Sequence, residues 1–471
     1  MPPYAEIRTY VQHLAATWRA PQHENFARLI GAVFERPTLC VSELARAWPA
    51  PSQPLHGRLK RLLRFLANPR LDELALSTRW LKLSYRFGAG VPDDDAECPL
   101  LPILLDTTYF EPFAALIAAV PCGGRALPIA LTTYDRTTLE ACFPPVTTWP
   151  DPTEASPPAT HRGRRVVPTA AQIQRFTSQP FIERRLIRLV WHLLSPALRG
   201  VLVADRGFAS AELFAWLQRH RREFVIRIDA TTHVRVAPDG PSRPVAEALA
   251  VQPGERRWVA GATYSQQAQV PVNLLAIWEP GQAEPWYLAT TLDRADWTET
   301  LYRWRMRLES SNRDDKSGVL LRQGGDQHAL RNVLHLHRLL LALIGAQWLC
   351  ALVGLQAHRD LPDPPPDTAL DQAPPTTPQD SPLLDQGPAT PPPVHPHRGP
   401  PARLPGWMRR FAARGPLSYL RLGAEVLRAP DLARIVRRCV RWLGIYLWVW
   451  SPRWYPWQRR YRLTRWWSEA A

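Results

Sequence analysis

A chain of 471 residues is longer than one compact core usually holds, which excludes a small peptide or a lone binding module and predicts several domains. Hydrophobic residues at 45% and charged residues at 21% are ordinary for a globular protein, but 50 Pro against 24 Gly is a marked excess. The net charge of +16 predicts a polyanionic partner, and residues 407–471 alone hold 14 Arg against Glu425, Asp431 and Glu469.

Residues 1–97 read as a helical domain. Apolar positions recur at helical spacing through Phe26–Phe34, and Ser42 is placed to cap SELARAW. A second basic helix carries His56, Arg58, Lys60, Arg61 and Arg64 among Leu59, Leu62, Leu63, Phe65 and Leu66. Two short helices with the second basic suit a helix-turn-helix that places Arg58, Lys60, Arg61 and Arg64 on DNA. The same pattern also suits an amphipathic bundle helix with a solvated face.

From residue 98 the period shortens. LPILLDTTYF and Ala126–Thr133 read as buried strands, residues 144–180 as a long loop rich in Pro, Thr and Ser, and Ile182–Leu194 as a helix. RGVLVADRGFAS is a third strand ending in an acid, followed by a helix over Ser210–Arg221. Strands that end on carboxylates and alternate with helices predict an α/β sheet with a site at the strand ends. Residues 224–296 then turn strand-rich, as a β-rich insertion, before helix resumes at Trp297–Arg307. The apolar stretch Leu339–Leu355 contains Gln347 and reads as a core helix rather than a membrane span. Residues 359–406 are a Pro-rich linker expected to be disordered, and residues 407–471 a basic helical tail with eight Trp. No internal repeat is visible.

Six scattered Cys form no zinc-spaced cluster and read as reduced core thiols. The opening MPPYAEIR shows no signal-peptide pattern, which predicts a cytoplasmic, nucleoid-associated protein with no membrane partner.

Asp106 and Asp205 each follow an apolar strand, so both can enter one pocket, and paired hard-oxygen ligands suit Mg²⁺. A lone Asp after a strand is more often a turn or cap residue. A third acid changes that balance. In LYRWRMRLESSNRDDKSG, Tyr302, Arg305, Glu309 and Lys316 fall at i, i+3, i+7 and i+14, one helical face carrying a phenol, a guanidinium, a carboxylate and an ammonium. Such a face suits metal and phosphate together, although it could be a solvated charged surface. Only Lys60, Lys82 and Lys316 are lysines, so a Lys retained at this point favours a specific role.

With this Y-x2-R-x3-E-x6-K spacing, the chain resembles the DDE transposases of bacterial insertion sequences, specifically the fourth insertion-sequence family. The resemblance extends over about residues 30–356 and includes KRLLRFLANPRLD, LLDTTYF, VLVADRGFAS and HLHRLLLALIGAQWLCALVG. It implies a ribonuclease-H-like catalytic core over 98–358 with a β-rich insertion between the second Asp and the Glu, in keeping with the 104 residues from Asp205 to Glu309. It further implies that Asp106, Asp205 and Glu309 bind two Mg²⁺ ions, with Mn²⁺ as a substitute, and that Tyr302, Arg305 and Lys316 hold phosphates. The implied activity is cut-and-paste transfer of double-stranded transposon ends into target DNA by a homodimer. The Pro-rich segment and the Trp/Arg tail depart from the family pattern.

Two other readings use the same residues. One is a ribonuclease-H-like metal-dependent nuclease that hydrolyses without transposition. The other is a non-enzymatic DNA- or membrane-binding protein acting through its basic tail. The tail could also be the drifted end of a reading frame, because GC-rich DNA read out of frame yields Arg, Pro and Trp.

Overall fold

The computed structural model describes residues 4–50, 52–84, 100–122, 125–143, 173–195, 198–265, 267–316, 332–360, 419–428 and 433–449. The expected 359–406 linker and the tail from 451 onward lie almost wholly outside these residues.

Five helices open the chain: α1 (Tyr4–Leu14), α2 (Ala20–Glu35), α3 (Val41–Ala47), α4 (Leu55–Leu66) and α5 (Glu73–Ser84). Ser42 does not cap α3. The helix starts two residues earlier than that cap would set, with Cys40 at the cap position, so Ser42 falls in the first turn. In α4, Leu62, Phe65 and Leu66 face inward, which leaves His56, Lys60, Leu63 and Arg64 exposed along one stripe. Arg58 and Arg61 lie beside that stripe and are tied into the protein. Arg58 Nη1 donates to the Arg46 carbonyl at 2.9 Å, and Arg61 Nε to Asn25 Oδ1 at 2.8 Å. Half of the expected basic DNA face therefore holds the helical domain together.

The strands β1 (Leu100–Phe110), β2 (Phe113–Cys122) and β3 (Arg125–Asp135) form an antiparallel meander, extended by β4 (Glu140–Cys142) and β5 (Ile173–Arg175). The sequence reading had no strand at 113–122, whose Ala-rich FAALIAAVPC lacks a polar alternation because both of its faces are buried. After α6 (Gln179–Leu193), β6 (Arg199–Ala204) lies parallel to β1. Beyond α7 (Ala211–Arg219), β7 (Glu223–Ile228) lies parallel to β6. Pro102 is tolerated in the middle of β1 because β1 pairs with β2 only from Leu104 onward.

The strand-rich segment continues this sheet. It contains β8 (His233–Arg235), β9 (Arg243–Pro244), the short α8 (Val245–Ala248), β10 (Arg256–Tyr264), β11 (Val270–Ile277) and β12 (Trp286–Thr290). Because β12 pairs antiparallel with β7, one twelve-stranded sheet runs β5-β4-β3-β2-β1-β6-β7-β12-β11-β10-β8-β9. The segment FVIRI, read with the insertion, is thus a central strand of the core. Its parallel partner is distant in sequence, so local pattern could not assign it.

Each sheet face is covered. Leu100, Leu104, Val201, Val203 and Val225 point to one side and pack under α9 (Ala295–Lys316) through Trp297, Leu301 and Tyr302. Leu101, Ile103, Leu105, Leu202 and Ile226 point to the other, beneath α6, α7 and α10 (Val333–Asp360). Helix α10 contains the one segment among the described residues that is long and apolar enough to cross a membrane, Val333–Ala357, but most of it is buried inside the protein. Trp348 Nε1 donates to the Pro128 carbonyl at 2.7 Å, and the Val333 carbonyl accepts from Thr133 Oγ1 at 3.1 Å, fixing α10 to β3.

Two helices from the C-terminal region dock on this layer, α11 (Tyr419–Arg428) and α12 (Ala433–Val449). α11 approaches α10 so closely that a Cβ on Gly423 would overlap the Cys350 carbonyl, and only glycine permits that contact. The five described cysteines are free thiols, four of them buried, and Cys98 lies outside the described residues.

Candidate active site

The parallel register pairs Leu104 of β1 with Val203 of β6. Two residues further along both strands, the same register sets Asp106 opposite Asp205, on neighbouring strands about 4.8 Å apart. Side chains alternate along a strand, so Asp106 shares the face of Leu104, and Asp205 that of Val203. Both acids therefore face the α9 side of the sheet, Asp205 one residue past the end of β6 and Asp106 within β1, which continues to Phe110 along β2 instead of ending at the acid as expected from the sequence. The carboxylates are partly exposed, and Asp205 keeps 34% of its side chain open.

Asp205 is held by two donors. The chain leaves β6 in a single 3₁₀ turn, Arg206–Phe208, whose Gly207 N–H donates to Asp205 Oδ1 at 2.9 Å. Its other oxygen, Oδ2, accepts from Arg305 Nη2 of α9 at 3.0 Å, with only 10% of the Arg305 side chain exposed. A fixed carboxylate beside a nearly buried guanidinium is a charge-assisted pair whose geometry is set by both partners.

One turn earlier on α9, Tyr302 is 1% exposed and packs edge-on against Trp286 with ring centroids 5.2 Å apart. Burial raises the pKa of its phenol, which keeps it protonated. Arg305 and Arg227 of β7, the latter ion-paired with Glu284, act against this shift without reversing it. Expected at a phosphate, Tyr302 is instead sealed beneath Arg305 and orients the helix. Arg303, on the far side of α9, pairs with Glu279 and Glu299 and faces away from the acids.

Helix α9 continues through Glu309 and Lys316. Glu309 is four residues beyond Arg305, the next position on the same helical face, but its side chain and that of Lys316 lie outside the described residues. Among the described residues no group of three His, Cys, Asp or Glu could hold a metal. The two carboxylates that are described, adjacent and partly solvated, are the hard-oxygen donors a divalent ion takes.

Sequence reasoning missed Arg227 and Gly207. Arg227 had a signal, a lone charge in the apolar strand FVIRI on the same face as Val225. Gly207 had none that distinguished it from any glycine after a strand.

No curated protein matches the chain. Residues 183–344 match the family model of the transposase DDE domain, about a third of the chain, from within α6 to within α10. The match takes in Asp205, Tyr302, Arg305, Glu309 and Lys316 and stops short of β1. Asp106 therefore joins this set through the sheet register rather than through the family match. The strand order β3-β2-β1-β6-β7, in which β2 alone runs against the other four, is the ribonuclease-H-like core that such a domain implies. Over residues 183–344 this chain is thus similar to the transposase DDE domain.

Proposed function

We propose that this protein cleaves DNA at the ends of a mobile element and joins those ends to target DNA, with Asp106, Asp205 and Glu309 as its carboxylate triad. The β1–β6 register, which sets Asp106 beside Asp205 under the helix that carries Glu309, is the observation that supports this most. The Y-R-E-K spacing supports a reading within the fourth insertion-sequence family. Pairing two element ends in one complex calls for two copies of the chain.

The donor set fits a divalent cation, so Asp106, Asp205 and Glu309 would hold Mg²⁺, or Mn²⁺ in its place. Such ions supply a lowered pKa for the attacking oxygen's proton and neutralise charge that develops on the phosphate. The chain's own residues do the positioning. Gly207 N–H and Arg305 fix both oxygens of Asp205, Tyr302 and Trp286 fix the helix that bears Arg305, and Arg305 lends a planar fork at the edge of the site to a phosphate. Lys316, on the same helix, adds a compact charge for a second phosphate. A water oxygen displaces the 3′ oxygen of the element end from the scissile phosphorus, and the freed 3′-hydroxyl then attacks a target-strand phosphorus and displaces the 3′ oxygen there, so that one P–O bond breaks for each that forms and no covalent enzyme intermediate is needed.

The test uses duplexes bearing the element's ends. Asp106→Asn and Asp205→Asn should each lower cleavage by more than the roughly 10–100-fold typical of losing a ligand's outer hydrogen bond, while binding in a chelator is unchanged. Cleavage by Asp205→Asn at the normal rate would remove the triad. Cleavage with no joined product in the unmodified protein would leave a nuclease.

A further inference from the structure

Strands β6 and β7 begin side by side at the edge of the sheet opposite the acids, and a cleft of about 700 Å³ opens there between the ends of α6 and α7. Arg199, which lines it, is six residues before Asp205, so at about 3.3 Å per residue the cleft lies roughly 20 Å from the carboxylates. Trp191 and Leu194 supply an apolar wall, and Arg199, Arg221, Arg222 and Glu223 supply the charge.

Those charges do not cancel. Arg199 and Glu223 satisfy one another through a two-pronged pair, Nε to Oε2 at 2.6 Å and Nη2 to Oε1. Arg222 is only partly exposed and lies over the Trp191 ring, its guanidinium carbon 5.6 Å from the ring centroid. Burial lowers its pKa, and no carboxylate opposes that shift. Arg221 stands exposed at the rim beside it, and among the described residues neither arginine pairs with a carboxylate. A half-buried guanidinium without a counter-charge sets the cleft apart from the stripe of α4, where Lys60 and Arg64 stand in solvent. The backbone adds a second sign. At the end of α7 the Arg222 N–H donates to the Leu217 carbonyl at 2.8 Å and the Arg221 N–H to the Gln218 carbonyl at 2.9 Å, a turn whose left-handed residue is usually glycine. Here that residue is Arg221, at φ 52°, so the sequence keeps a strained fork at the cleft where glycine would relieve the strain.

We propose that this cleft is an anion site that takes the phosphate group of a nucleotide, held by Arg221 and Arg222. A carboxylate occupies one fork, as Glu223 does with Arg199, whereas a phosphate has enough oxygens to meet two forks at once. The volume is larger than a bare phosphate fills and falls in the range of small-molecule pockets, so the wall of Trp191 and Leu194 takes the sugar and base. A free nucleotide and the 5′-phosphorylated end of a DNA strand share this chemistry. The site is separate from the carboxylate pair and does not depend on the catalytic reading above.

The experiment titrates the full chain by calorimetry in the presence of a chelator, so that no divalent ion bridges phosphate to the acids. The probes are deoxyadenosine 5′-monophosphate, deoxyadenosine, and a short single strand with and without a 5′-phosphate. The monophosphate should bind and the nucleoside should not. R222Q should weaken monophosphate binding by about tenfold or more, as expected for lost charge-assisted hydrogen bonds, and R222K should recover part of the loss. R221G gives the left-handed turn the residue it favours, so it should melt no lower than the parent while binding the monophosphate about tenfold more weakly. That variant keeps the test decisive even if R222Q fails to fold. A 5′-phosphate that tightens strand binding by the parent but not by R221G marks a strand end as the source, and monophosphate binding without that effect marks a free nucleotide. No monophosphate binding together with no 5′-phosphate effect would overturn the proposal, as would affinities equal in the parent, R222Q and R221G, or lowered alike by Asp205→Asn.

Discussion

Asp205 accepts one hydrogen bond from a backbone N–H and one from a guanidinium, so its rotamer is fixed before any substrate arrives. The cost of this arrangement falls on Tyr302, whose ring fills the space beneath Arg305. Tyr302→Phe removes only the buried hydroxyl and keeps the ring, and should change stability by about 1 kcal/mol or less. Tyr302→Ala removes the ring packed on Trp286 and should cost about 3–5 kcal/mol, with cleavage falling further than in the Phe variant. Denaturant unfolding and a cleavage assay measure both. Equal losses in the two variants would show that the hydroxyl, not the ring, matters. The residue types of this site were legible from the Y-R-E spacing alone. Their contacts were not, because the spacing gives a shared helical face but not which strand lies beneath it.

At the scale of an element, α4 shows how one basic helix divides its charges. Lys60 and Arg64 lie on the exposed stripe with His56, whereas Arg58 and Arg61 hydrogen-bond to α3 and α2. If the stripe binds phosphates, Lys60→Ala with Arg64→Ala should make the salt dependence of DNA binding shallower by about 2 and leave stability near that of the parent. Arg58→Ala and Arg61→Ala should instead each cost about 1 kcal/mol of stability, with the salt slope nearly unchanged. A salt series and thermal unfolding on the two double variants separate the roles, and the reverse pattern would place DNA on the Arg58–Arg61 side. The period of α4 was readable from Leu59, Leu62, Phe65 and Leu66. Which arginines the neighbouring helices consume was not, because Asn25 and the Arg46 carbonyl reach them only through the tertiary fold. The strands tell the same story: β1 and β6 announce themselves as apolar runs ending in Asp, while β7 is a core strand only by virtue of its distant parallel pairing with β6.

For the whole molecule, one buried cluster joins the helical N-terminal segment to the catalytic sheet, running from Ile7 through Leu202 to Leu447. Its polar centre is Glu73 of α5, 1% exposed, which accepts from Arg338 Nε of α10 at 2.9 Å and lies 3.1 Å from His337 Nε2. Arg338 also donates to the Leu66 carbonyl at the end of α4, so a single guanidinium ties α4 and α5 to the helix that touches β3. Burial alone would raise the Glu73 pKa, but the neighbouring His337 and Arg338 outweigh it and hold the carboxyl below its usual 4.5. A depressed folded-state pKa means that the unfolded chain binds more protons. The stabilisation is therefore present in full above the usual carboxylate range and is lost as pH falls through the folded value. Glu73→Gln leaves Arg338 buried without its counter-charge and should cost about 3–5 kcal/mol near neutral pH. The same variant should show a weaker loss of stability on acidification below pH 4.5, because the group responsible is gone. Since Glu73, His337 and Arg338 bridge the helical segment and the helix that packs on the sheet, the described regions should unfold together, in one transition for both proteins. Denaturant titrations followed by tryptophan fluorescence and circular dichroism at several pH values check all three expectations. A variant with unchanged midpoint would show that Glu73 does not couple α5 to α10, and a parent that itself unfolds in two steps would show that the helical segment and the sheet are not one unit.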